Sequence, residues 1–290
     1  MTELVVRRVG APVLVQDTGR PGYAAIGVGA SGAGDRASYA LGNRLLGNRA
    51  DAAALEVTLG GLELEAAGGT VWVCVTGAPA PVTVDGRPEP PGAVLALRSG
   101  QRLALGVPLS GVRSYVAVRG GVEVPAVLGS RSADTLADLG PAPLAVGGRL
   151  PVGSAIEGEI RVDAVPPSSY DDPVVLRVVR GPRDDWLRDP DALVRSGWTV
   201  APDSDRVGVR LTADGARLEH VDPDRQLPSE GALRGAVQVP PGGEPVVFGP
   251  DHPVTGGYPV VAVVVDADTD RLAQLRPGEP VTFRWVTPTK

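Results

Sequence analysis

The apolar residues of this 290-residue chain come in short runs that glycine, proline or Asp-Gly steps break before a helical period can build. Between residues 61 and 121 the runs fall at 62–65, 71–75, 82–84, 93–97, 102–105 and 114–119, with turn signals such as Asp85 with Gly86 and Ser99 with Gly100. Strands this closely spaced, with no helices between them, predict an antiparallel sandwich or barrel. A second set follows at 174–179, 207–211, 235–239, 245–248, 259–265 and 280–286. Positions 260–265 are apolar throughout, which implies a strand buried on both faces or closed into a barrel.

Short helices are predicted in three places. At 35–47, Asp35 stands as N-cap, Leu41 and Leu45 lie one turn apart, and Gly47 ends the run. At 189–197, Asp189 reads as N-cap, Pro190 as first helical residue and Gly197 as the stop. The third spans 269–275, before the turn at Pro277 and Gly278. The stretch 122–170 is loop-rich, with 129–135 polar enough for a ligand loop and 166–170 reading as a linker. The boundary placed there gives domains 1–166 and 167–290. The second half repeats the first in style but without a sequence period.

Composition narrows the function classes. Gly (39) and Pro (29) approach a quarter of the residues, yet 43% of the chain is hydrophobic, so it is turn-rich and folded. A net charge of −6 argues against nucleic acid or an anionic membrane as partner. No signal-peptide pattern opens the chain and no stretch approaches ~20 apolar residues, so a cytoplasmic protein is expected. Cys74 is the only cysteine and lies in a strand-like run, which favours burial over catalysis. With two histidines, His220 and His252, no metal site is expected. Lys290 is the only lysine, which removes a Walker A lysine, an internal Schiff base and a biotinylated lysine in the usual Met-Lys-Met setting.

Candidate chemistry gathers in residues 16–35, where Gly27, Gly29, Gly32 and Gly34 stand among Asp17, Arg20, Ser31 and Asp35. Glycine lets the backbone approach another molecule closely, and a Gly-rich loop running into a helix N-terminus suits a carboxylate or phosphate. A tight turn with an ordinary cap accounts for the same residues. The spacing from Gly27 to Gly32 also matches G-x-G-x-x-G, with Glu56 near the place of a ribose-binding acid. That fingerprint needs βαβ units, and short strands follow here, so a Rossmann site is rejected. A second Gly-rich polar loop occupies 249–259, and two such loops, one per domain, suggest a cleft between them.

Taken in order, Asp17, Gly19, Arg20, Gly27, Ser31, Gly32, Asp35, Asn43, Gly47, Asn48, Leu55, Glu56, Thr58 and Gly61 resemble the family of the 5-oxoprolinase C component. That family is also called allophanate hydrolase subunit 2, and it is related to the carboxyltransferase domain of urea carboxylase. The likeness continues through Arg119 to Gly121, Gly129 and Ser130, Arg180 to Pro182, Ser229 to Gly231, Gln238 to Pro240, and Thr255 to Pro259, so it covers nearly the whole chain. It implies a mainly β fold of two cyclophilin-like β-barrel domains with a few short helices. It also implies partnership with the B component of the same system and one further protein, and ATP-dependent opening of the cyclic amide of 5-oxoproline to glutamate. ATP would belong to the complex, and no biotin would be carried covalently by this chain. Two other functions stay open: a carboxyltransferase component of a biotin-dependent urea or amide carboxylase, and a non-catalytic module antagonising a histidine-kinase inhibitor.

Candidate catalytic residues are Asp35, Arg20 and Glu56. Candidate substrate- or nucleotide-binding residues are Asp17, Gly19, Gly27, Gly29, Ser31, Gly32, Asn43, Ser229, Glu230, Thr255, Gly256, Gly257 and Tyr258. Each also has a plainer reading. Asp35 can be the helix cap, Arg20 can pair with Asp17, Glu56 can form a buried ion pair, the 229–230 pair can be a solvated loop, and Gly256 with Gly257 can simply turn the chain. Members of the family usually carry Pro and a larger residue where Gly29 and Ala30 stand, and a Gln-Thr pair where Pro253 and Val254 stand. The second departure removes two hydrogen-bonding side chains beside the most specific motif.

Overall fold

The computed structural model describes residues 2–170, 172–213, 215 and 217–287; Lys290 lies outside them. The chain divides into two units. The first takes the described residues of Met1–Arg20, Ser31–Asp134 and Asp138–Asp171, and the second those of Pro21–Ala30, Thr135–Ala137 and Asp172–Lys290. Two short segments embedded in the N-terminal sequence thus belong to the second unit.

In the first unit the broken apolar runs become two antiparallel sheets. One orders Arg149–Pro151, Glu3–Arg8, Glu63–Ala67, Arg102–Leu105, Val82–Val84 and Arg87–Glu89. The other orders Val13–Gln16, Ala54–Thr58, Arg113–Val118, Val71–Gly77 and Val94–Leu97. Alternation decides which face is buried: in Glu63–Ala67, Leu64 and Ala66 point inward, while Glu65 is held at 3.0 Å by both Arg7 and Arg102. Leu4, Val6, Leu64 and Leu103 of the first sheet join Val15, Leu55, Val73 and Val116 of the second in one core.

The helix Arg36–Leu45 lies on the second of these sheets and buries Tyr39, Gly42 and Leu45. Gly42 permits this approach, because a Cβ there would stand 2.9 Å from the Ala117 Cβ. Asp35 is extended, and its carboxylate accepts from the Ser38 N–H (2.9 Å) and the Ser38 hydroxyl (2.7 Å), satisfying donors that the first turn leaves open.

The second unit is a closed barrel ordered Val174–Arg180, Val260–Val264, Ala236–Gln238, Val246–Phe248, Gly208–Thr212, Trp198–Val200 and Pro280–Trp285. Parallel pairing of Pro280–Trp285 with Val174–Arg180 closes the ring. Closure accounts for the continuously apolar run at 260–265. Inside sit Leu176, Val209, Leu211, Val237, Val247, Val261 and Phe283. Trp198 is also buried there and donates its indole N–H to the Leu193 carbonyl at 2.9 Å.

Two helices are shorter than the sequence suggests. The 189–197 run yields one turn, Ala192–Arg195, because the Asp189 carboxylate accepts from the Asp191 N–H at 3.1 Å, an Asx-type turn that delays the helix by two residues. The 269–275 run keeps Thr269–Leu272, preceded by the tighter turn Asp266–Asp268. Strands at Glu3–Arg8, Val13–Gln16, Arg149–Pro151 and Trp198–Val200 add to those read from the sequence.

Asp35→Ala is expected to destabilise the chain by about 1 kcal/mol through loss of the cap, while Asp35→Ser, which keeps an acceptor, recovers most of it. Chemical denaturation of the two variants checks this; equal midpoints for parent and Asp35→Ala would contradict the capping role.

Candidate functional site

The polar groups of the first Gly-rich stretch turn inward. Asp17, 4% exposed, accepts from the Gly19 N–H (2.8 Å), the Ser130 and Ser132 hydroxyls (both 2.6 Å) and the Arg131 N–H (2.6 Å). Its carboxylate is therefore the nucleus around which the 127–135 loop folds. Arg20 does not pair with Asp17. Its guanidinium donates to the Ser132 and Val127 carbonyls, and its Nη1 stands 4.0 Å from Asp134. Gly19, Gly27 and Gly32 have positive φ, and a Cβ at Gly32 would lie 3.1 Å from the Gly19 nitrogen. Ser31 also takes a positive φ of 54° and donates to the Ala133 carbonyl at 3.3 Å. Gly29 falls in the segment that belongs to the second unit, as Gly27 does.

Glu56 is 1% exposed and pairs with Arg113 at 3.2 Å. It also accepts from the Gly34 N–H and the Tyr115 hydroxyl, both at 2.8 Å, while that hydroxyl accepts from the Asp35 N–H at 2.7 Å. Burial, with Glu56 and Asp35 nearby, pushes the Tyr115 pKa far up, so the hydroxyl stays protonated. Tyr170 donates to Asp35 at 3.0 Å, and burial followed by that carboxylate pushes its pKa up to about 12. Asn43 donates to the Ala52 carbonyl and accepts from Asn48, both at 2.9 Å, tying the helix to the following loop. The structure thus brings Asp35, Glu56, Gly32 and Ser31 onto one buried framework whose polar groups hold the loop in shape.

The second Gly-rich loop borders open space. A cavity of about 320 Å³ is lined by Leu136, Asp205, Val207, Gly208, Arg210, Gln238, Val246, Phe248, Pro253, Gly256, Gly257 and Tyr258, all in the second unit. Its floor is the outer wall of the barrel: Val209, Val237 and Val247 point into the core, so Gly208, Arg210, Gln238, Val246 and Phe248 point out. The roof is the 253–258 loop. Its two-residue strand Thr255–Gly256 pairs with Glu230–Gly231, and the Ala232 N–H donates to the Val254 carbonyl at 2.9 Å. Arg183 donates to both Glu230 oxygens at 3.1 Å and holds that carboxyl below its usual pKa, so Glu230 fixes the hairpin from outside the cavity lining. Thr255 and Ser229 are exposed. Of the Pro253 and Val254 pair, Pro253 lines the cavity, whereas Val254 serves the hairpin through its backbone.

Just before the roof loop in sequence, Asp251 forms a two-pronged ion pair with Arg206, Nε to Oδ2 and Nη2 to Oδ1, both 2.8 Å, with side-chain exposures of 6% for Arg206 and 0% for Asp251. Asp251 Oδ2 also accepts from the Thr135 N–H (2.9 Å) and hydroxyl (2.8 Å). One carboxylate therefore fixes the roof loop and delivers Leu136 to the cavity wall. Sequence reasoning passed over Arg206, Asp251, Arg210 and Leu136. The outward phase of Arg210 and Gln238 could have been read from strand alternation; the partnership of Asp251 with Thr135 spans 116 residues and leaves no local signal.

Comparison with known proteins agrees with the sequence motifs. The family model for the carboxyltransferase domain, subdomain A and B, matches residues 26–285. The C component of the 5-oxoprolinase of Escherichia coli (strain K12) is 38% identical over 97% of this chain and 90% of its own length. The crystal structure of TTHA0988 superposes with a TM-score of 0.86 at 34% identity over 98% of this chain, which spans 55% of that one. The Kluyveromyces lactis urea carboxylase superposes with a TM-score of 0.88 at 28% identity, again over 98% of this chain but only 27% of that protein. The chain belongs to the carboxyltransferase subdomain A and B family, alongside the C components of 5-oxoprolinases.

Proposed function

We propose that the chain is the C component of an ATP-dependent 5-oxoprolinase and acts with the B component and one further protein. The observation that carries this reading is the 320 Å³ cavity roofed by the loop of Thr255 to Tyr258. It is sized for one small molecule, and it combines an apolar floor with an amide, a guanidinium and a phenol. Likeness to the corresponding 5-oxoprolinase component of Escherichia coli over nearly the full length of both chains supports the substrate.

A lactam is a stable amide, so opening it needs activation. ATP bound by the complex would supply a phosphoryl group to the carbonyl oxygen, and two waters would complete conversion to glutamate, ADP and phosphate. Two arginines that could have held a triphosphate, Arg20 and Arg206, are buried against carbonyls and a carboxylate. We therefore place the nucleotide with the partners and assign this chain to substrate binding. Asp17, Arg20, Asp35 and Glu56 act in this scheme as positioning residues, since each buried charge is spent within the fold. The carboxyltransferase alternative keeps support from the family model, and it would use the same cavity for urea or another amide.

Reconstitution tests this directly. The three-component complex is expected to form ADP and glutamate in step with 5-oxoproline added, and omission of this chain should abolish both. Turnover of urea with bicarbonate and a biotin carrier, in place of 5-oxoproline, would overturn the assignment.

The cavity also depends on its ion pair. Asp251→Asn should lower stability by about 1.5–3 kcal/mol, because it weakens the charge-assisted hydrogen bonds that the carboxylate accepts from Arg206 and Thr135. Turnover should fall with it. Replacing the pair by Arg206→Met with Asp251→Leu should recover only part of the stability, because the Thr135 donors lose their acceptor, and should leave turnover low, since the roof loop has lost its directional anchor. Thermal melts and steady-state rates check both; parental rates in the double variant would show that the pair does not orient the site.

A further inference from the structure

The cavity floor carries a row of three side chains in register. Val246 pairs with Arg210 on one side and with Gln238 on the other, so amide, apolar surface and guanidinium follow one another across three strands. Neighbouring strands lie about 4.8 Å apart, which places the backbones of Gln238 and Arg210 about 10 Å apart, one on either side of Val246. A register shift between Val237 and Gln238 re-aims Gln238 at the edge of the ladder. Its Oε1 lies beneath the roof, 3.7 Å from where a Cβ on Gly256 would stand. No hydrogen bond to the Gln238 amide is found among the described residues. Arg210 spends its Nε on Asp203 at 3.1 Å, an exposed pair, and its two Nη nitrogens have no partner among the described residues. Asp205, also on the lining, is occupied as a turn acceptor for the Val207 and Gly208 N–H groups.

We infer that this row is the specificity element for a five-membered cyclic amide bearing a carboxylate on the carbon next to nitrogen, an inference that rests on the 5-oxoprolinase reading. In a small lactam the amide is held cis, so its N–H and C=O point to the same side. The primary carboxamide of Gln238 presents the complementary C=O and N–H and can meet both at once. The ring methylenes lie on Val246, and Phe248 and Tyr258 bound the remaining apolar edge. The ligand carboxylate reaches the Nη nitrogens of Arg210. A site built this way rejects analogues that leave one of its polar groups unpaired. Free proline lacks the carbonyl, N-methyl-5-oxoproline lacks the N–H, and 2-pyrrolidinone lacks the carboxylate.

The test is steady-state kinetics of the reconstituted complex with Gln238→Leu, Gln238→Glu, Arg210→Gln and Arg210→Lys, alongside melting curves. Both Gln238 variants should raise KM for 5-oxoproline about tenfold, the Glu form because it loses the donor, with a smaller change in kcat. Arg210→Gln should raise KM by roughly thirtyfold and Arg210→Lys by much less, because the partner is charged. In the parent complex, N-methyl-5-oxoproline and 2-pyrrolidinone should inhibit weakly, and Gln238→Leu should erase the parent's preference for 5-oxoproline over the N-methyl compound. Unchanged KM in correctly melting Gln238 and Arg210 variants overturns the row assignment and leaves the 5-oxoprolinase reading standing. A parent complex that turns over no 5-oxoproline overturns that reading, and the row assignment with it.

Discussion

The ion pair of Arg206 and Asp251 is the constraint on which the site rests. Two charges withdrawn from water cost several kcal/mol each, and only good geometry with further hydrogen bonds offsets that cost. Both conditions are met: two parallel 2.8 Å contacts join the groups, and the Thr135 N–H and hydroxyl complete the coordination of one carboxylate oxygen. The result is directional in a way that apolar packing is not. Asp251 opens the 251–258 loop, Arg206 precedes the strand that carries Arg210, and Thr135 precedes Leu136, so the pair fixes three cavity walls relative to one another. The backbone repeats the link, with the Asp251 N–H donating to the Arg206 carbonyl at 3.1 Å and the Gly249 N–H to Val207 at 2.9 Å.

The first unit solves a related problem with buried acids that collect mostly backbone and hydroxyl donors. Asp17 gathers donors from the 130–132 segment, and Glu56 gathers Gly34, Tyr115 and Arg113. Tyr115 ties the start of the helix to Glu56, accepting from the Asp35 N–H and donating to the Glu56 carboxylate, and its raised pKa keeps the link intact across ordinary pH. A loop rich in glycine has little side-chain packing to hold it, so these buried acceptors supply the order that a core would supply elsewhere. The same residue types that suggest catalysis in a sequence are here the means of building a precise loop.

Much of the architecture was legible because it rests on local signals. Short apolar runs between glycine turns marked most strands, the continuous run at 260–265 marked the closed barrel, and Asp35 with Gly47 marked the ends of the longest helix. The helix expected at 189–197 is cut to Ala192–Arg195 because Asp189 turns the backbone with its own carboxylate, a competition that propensity does not decide. The candidate site was half legible. Gly256, Gly257 and Tyr258 line the cavity and were singled out by motif, whereas Arg210 and Leu136 became lining residues only through strand pairing and a 116-residue contact. Arg20 shows the limit from the other side: its charge and neighbours suggested a catalytic role or a pair with Asp17, and only the fold shows its donors turned to the carbonyls of Ser132 and Val127.

The central claim is that a small cyclic amide sits on the outer wall of the second-unit barrel, beneath the 253–258 loop. Amide chemical-shift mapping of the isotope-labelled chain during titration with 5-oxoproline tests it most directly. The account predicts saturable shifts centred on Gly208, Gly256, Gly257 and Tyr258, with the Gln238 side-chain amide among the most affected. Saturable shifts confined to Gly19, Gly32, Gly34 and Asp35, with the barrel wall unmoved, would contradict it.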